Sequence, residues 1–197
     1  MGVTEINKLR ELDFNKQLAF AFLTCERFYP NYFYFSQNYN FGDPFILREA
    51  IDFVYGSIFQ PINLNQQKLD HLLSAVFNNI PDTNNFTTFY ATIAMYSGGI
   101  IYESTNLVKH SDIDRILHEI STMAIDAVDC FIQVRDDMNY DDENFEEKIL
   151  NDPLMRSEIA IQKGVIDFLI QSKDIDLKDI ETLLRLQESN KRGDLIL

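Results

Sequence analysis

Apolar residues in this chain return every three or four positions, and nowhere do they alternate with polar ones for long enough to build a strand. From Ser111 onward Ile113, Ile116, Leu117, Ile120, Ala124, Ala127, Phe131 and Val134 keep helical spacing, while Arg115, Glu119, Thr122, Asp126, Asp129 and Gln133 form the polar face, expected to meet solvent. The same period recurs from end to end. The expected fold is therefore all-α: one compact domain over residues 1–197, built around a central buried helix at about 86–106.

Proline and capping residues punctuate the pattern. Ile6, Leu9 and Leu12 share a face, Asp13 can cap a restart, and Leu18, Ala21, Phe22 and Cys25 follow. Pro30 is expected to end that run, leaving a short aromatic turn that makes an elbow between two helices. Gly42-Asp43-Pro44 then reads as stop, N-cap and first helical residue, with a helix to about Phe59. Another is expected from about Asn65 to Ile80, halted by Pro81. FTTFYATIAMYSGGIIYES is apolar nearly all round, with Gly98 and Gly99 placed for close helix approach. After the acidic loop Arg135–Lys148, Asp152-Pro153 repeats the cap-and-proline start, and Asp176 with Asp179 opens a last helix ending near Glu188.

Composition narrows the function classes. The longest nearly uncharged stretch, Ile80–Ile101, contains Asp82, Asn84 and Asn85, so no bilayer span is expected. The charged N-terminus lacks an export signal, and a cytoplasmic location is expected, with Cys25 and Cys130 reduced. The formal net charge is −14; residues 109–152 hold 13 acids against 4 bases, a net of −9. Such a surface repels phosphate backbones and speeds encounter with basic partners.

Catalytic patterns are absent. Asp137, Asn139 and Asp141 open like a calcium loop, but Asp142 stands where glycine is needed and Lys148 where a bidentate glutamate should be. His71, His110 and His118 are not preceded by glutamate at di-metal spacing, and there is no phosphate loop or nucleophile elbow. No cofactor or metal is expected.

The aromatics are the other asymmetry. Phe28, Tyr29, Tyr32, Phe33, Tyr34, Phe35, Tyr39, Phe41 and Phe45 are nine of the 25 Phe and Tyr residues. Only Arg27 lies within this stretch, so a single-strand stacking platform is not the reading. Core filling comes first and a pocket or partner surface second. Glu26 and Arg27, beside Tyr29, Asn31 and Tyr32, are expected to be partly buried. Each then needs a partner, sought in Asn31, Asp43 or Glu188-Ser189-Asn190.

CERFYPNYFYF followed by FGDP, with Glu188-Ser189-Asn190 near a C-terminal glycine, resembles the YjaG-like bacterial proteins, domain-of-unknown-function family 416. Such proteins tend to show E-S-N-x-G, whereas here Lys191 and Arg192 both precede Gly193. The resemblance implies a compact all-helical protein and no catalytic residues to carry over. The leading expectation is a binding module without catalysis, acting through the aromatic elbow or through an acidic surface at Asp136, Asp137, Asp141 and Asp142. It would take a protein partner or a second copy, not nucleic acid or membrane. Two alternatives are an acidic inhibitor or immunity-type protein masking a basic enzyme, and a metal-dependent enzyme built from Glu26, Asp43 and Glu103.

Overall fold

The computed structural model describes residues 3–60 and 66–189. Among these the chain forms nine α-helices and no strand: α1 (Val3–Arg10), α2 (Phe14–Tyr39), α3 (Pro44–Phe59), α4 (Gln66–Asn78), α5 (Tyr90–Leu107), α6 (Ile113–Arg135), α7 (Phe145–Asn151), α8 (Pro153–Gln171) and α9 (Leu177–Ser189). The expected helix start at Asn65 lies outside the described residues. No described helix is long and apolar enough to cross a membrane.

The cap-and-proline starts are realised. Asp43 accepts the Phe45 backbone N–H at 2.9 Å, and Asp152 that of Leu154 at 2.8 Å, with Pro44 and Pro153 opening α3 and α8. At Asp13 the helix restarts as expected, but the carboxylate makes no cap hydrogen bond.

α5 is the central helix, packed along α2 and α6 and also meeting α3 and α4. Its buried residues, among them Ile93, Ala94, Ser97, Ile100, Ile101 and Ser104, lie on more than one face, as an apolar-all-round sequence requires. It begins at Tyr90, later than the expected 86, because Asp82 accepts the Asn84 N–H and holds a 3-10 turn at Thr83–Asn85. A Cβ on Gly99 would stand 2.7 Å from Met123 Sδ, so glycine there lets α5 and α6 approach closely.

Pro30 does not end its helix. α2 runs through it to Tyr39, and the expected aromatic turn is about two and a half further helical turns. An internal proline forfeits a backbone hydrogen bond and presses on the carbonyl four residues back, costing about 3 kcal/mol. Against this, Phe28, Tyr32 and Phe35 line one face at 0–2% exposure. Burial of each contributes about 1.5–3 kcal/mol, so Tyr32 and Phe35, the two buried rings beyond the proline, together match or exceed its cost, and the proline itself faces solvent. The chain reverses later, at Asn40–Asp43, where Asn40 (φ 51°) and Gly42 (φ 65°) take left-handed conformations. Pro30→Ala restores an N–H facing the Glu26 carbonyl and is expected to raise stability by about 1–3 kcal/mol in urea unfolding, less than the full proline cost because the unfolded chain also gains freedom. A loss of stability would show that the proline bend is what seats the rings.

Candidate functional site

Glu26 and Arg27 are neighbours on α2, so their side chains diverge by about 100° and reach different helices. Among the described residues neither pairs with Asn31 or Asp43, and the Glu188-Ser189-Asn190 side chains lie outside them. Glu26 receives both guanidinium arms of Arg48 from α3, at 2.9 and 2.6 Å, and Arg48 also holds Asp52 at 2.7 Å and covers the Tyr29 ring. Arg27 donates through Nη1 to Glu158 Oε2 on α8, with side chains 7% and 3% exposed. Glu158 Oε1 accepts from Gln162 Nε2 at 2.7 Å, and Gln162 Oε1 accepts from Ser121 Oγ at 2.7 Å. One buried polar chain thus ties α2 to α8 and α6. Glu158, Gln162 and Ser121 escaped sequence reasoning because each sits singly in an otherwise ordinary amphipathic stretch.

The other aromatic-stretch candidates fasten the 40–43 turn. Tyr29 O–H donates to the Pro44 carbonyl at 3.2 Å, and Tyr32 O–H to the Asn79 carbonyl at 2.6 Å. Asn79 Oδ1 in turn accepts the Asp43 N–H at 2.6 Å. Asn31 is buried, and its carboxamide makes no hydrogen bond among the described residues. Asn190 and the side chains of Glu188 and Ser189 lie outside the described residues.

Glu26, Asp43 and Glu103 are committed to different neighbours: Arg48, the α3 N-terminus and Arg115. Among the described residues no three His, Cys, Asp or Glu side chains gather as a metal site would require. Burial pushes the Cys25 thiol up to about 12, and burial with the nearby Asp129 raises Cys130, so both thiolates are suppressed.

The acidic candidates cluster at the corner between α6 and α7. Asp136 takes two hydrogen bonds from Arg135, which holds its carboxyl below the usual range, and Arg135 also binds Asp152 at 2.6 Å. Asp142 accepts the Asn139 N–H at 3.0 Å and folds the loop on itself. Asp136, Asp137, Asp141 and Asp142 all face solvent. Tyr140, 79% exposed, packs on Phe145 at 4.9 Å among them. Asp126 and Asp129 are half-buried on α6, not fully solvent-facing as expected. Burial, then Asp129 and Glu119, raise the Asp126 carboxyl above the usual carboxylate range.

A family model described as "Protein of unknown function (DUF416)" matches residues 5–193. A crystal structure of a DUF416 family protein from Shewanella baltica OS155 superposes with a TM-score of 0.82 at 22% identity, covering 96% of this chain and 95% of that one. That likeness concerns the fold. No curated protein matches the chain.

Proposed function

Since the chain belongs to the DUF416 family, whose function is unknown, membership brings no activity with it, and we propose a non-catalytic interaction protein that receives a basic partner on the α6–α7 corner. The carrying observation is the exposed run from Asp136 to Glu147, with seven carboxylates and no base, arranged around the exposed Tyr140. Carboxylates at this density steer cationic surfaces and raise association rates, and an exposed tyrosine ring offers a face to lysine or arginine. Masking of a basic enzyme is one form such a partnership takes. The aromatic stretch supports the reading less, because Phe28, Tyr32 and Phe35 are buried in the core and the Tyr29 and Tyr32 hydroxyls are spent on the turn before α3.

Lysine at Asp137, Asp141 and Asp142 together should weaken capture of an octalysine peptide by about tenfold or more at low salt. The difference should shrink as salt rises. Unchanged affinity in the variant, with an unchanged melting curve, would remove the corner from the reading.

A further inference from the structure

Asn31 lies one helical turn beyond Arg27 on the same face of α2. It is 2% exposed, and neither its Oδ1 nor its Nδ2 meets a hydrogen-bond partner among the described residues. The Nε of Arg27 is likewise buried and unmatched, because the ion pair with Glu158 is made through Nη1. Three polar atoms on two adjacent side chains are thus shut away from bulk solvent with their hydrogen-bonding capacity unspent. An orphaned buried group keeps the full cost of its lost hydration, and native interiors satisfy nearly all such groups, so these atoms require a common partner.

Their chemistry selects it. A carboxamide presents a donor and an acceptor, and the Arg27 Nε–H is a donor, so the occupant must both accept and donate. An anion would satisfy the donors but repel Asn31 Oδ1, and Glu158, 3% exposed, already neutralises Arg27. A metal cation would find one uncommitted oxygen beside a guanidinium charge. Side chains at this spacing set their Cβ atoms about 5–6 Å apart, a separation that two hydrogen bonds of about 2.9 Å each can span. We infer that Arg27 and Asn31 form a buried water-binding site: one water accepts the Arg27 Nε–H and donates to Asn31 Oδ1, and Asn31 Nδ2 donates to a second. The first water extends the polar chain that runs through Glu158 and Gln162 to Ser121. It supplies a hydrogen bond and no counter-charge, so Glu158 remains the charge partner of Arg27.

The test begins with the full chain, labelled with nitrogen-15, and looks for cross-relaxation between the Arg27 Nε–H and water. A rotating-frame Overhauser peak is opposite in sign to a hydrogen-exchange peak, which separates a held water from exchanging solvent. The Overhauser peak is expected in the parent and should vanish in Asn31→Leu. Urea unfolding adds a readout whose sign decides. Removing an unsatisfied carboxamide would relieve its desolvation cost and raise stability. Removing one that holds water orphans the Nε–H, so Asn31→Leu and Asn31→Ala should each lower the folded-to-unfolded ratio by about tenfold.

A parent whose Nε–H shows no water peak overturns the inference, whatever the variants do. So does a peak that survives unchanged in Asn31→Leu, or a rise in urea midpoint in both variants. Overhauser peaks from the Asn31 carboxamide to protons of residues 190–197 would make the C-terminal segment the partner in place of water. Stabilisation of the parent by chloride or formate at constant ionic strength, lost in Asn31→Ala, would make the occupant an anion and overturn it equally.

Discussion

Glu158→Ala is expected to destabilise the protein by about 3–5 kcal/mol, because it strands the Arg27 guanidinium in the interior without a counter-charge. The loss has two sources. The cation loses its Coulomb partner where water cannot substitute, and Gln162 Nε2 loses its 2.7 Å acceptor. Arg27→Ala should cost a similar amount by stranding the carboxylate. The paired change Arg27→Met with Glu158→Leu behaves differently: it removes both charges at similar volume and should fall within about 1–2 kcal/mol of the parent, or exceed it. Urea unfolding of the parent, the two alanine variants and the Arg27→Ala/Glu158→Ala double variant gives the coupling energy. A coupling below about 0.5 kcal/mol would mean that water reaches the pair and that it does not tie α2 to α8.

Gly42→Ala is the second large effect, at about 2–5 kcal/mol. The left-handed backbone (φ 65°) costs alanine about 1–2 kcal/mol by itself. Its Cβ would also stand 2.3 Å from Tyr32 Oη and 2.9 Å from Asn79 Oδ1. Tyr32 is fully buried and its hydroxyl is fixed on the Asn79 carbonyl, so the ring has nowhere to retreat, and overpacking adds roughly 1–3 kcal/mol. At Gly99 the obstacle is the flexible end of Met123, which can swing aside. Combining Gly42→Ala with Tyr32→Phe removes the obstructing oxygen, so the pair should cost less than the sum of the singles. Strict additivity would place the damage in the backbone alone.

These two predictions sit at the places where sequence reasoning was least complete. Gly42-Asp43-Pro44 was legible because a left-handed stop, a carboxylate cap and a fixed proline φ are local properties of three adjacent residues. That a bulky phenol would be wedged against Gly42 was not, since Tyr32 lies ten residues away on the preceding helix. Glu26 and Arg27 were recognisable as charges in an apolar setting. Their partners Arg48 and Glu158 are 22 and 131 positions distant, and helical spacing says which face is apolar, not which helix it will meet.

The amino-acid sequence by itself determined the all-helical class, the proline-capped starts of α3 and α8, the buried central helix and the concentration of acid between α6 and α8. Each of these follows from period, cap chemistry or charge count within a short window. Tertiary structure decided that α2 continues through Pro30, because the rings beyond it gain at least as much by burial as the proline costs, and local rules cannot weigh that exchange. It also decided which helix each charge reaches, and that the Asn31 carboxamide meets no polar partner among the described residues. Both depend on how whole helices stack, and side-chain volumes far apart in the chain set that stacking together.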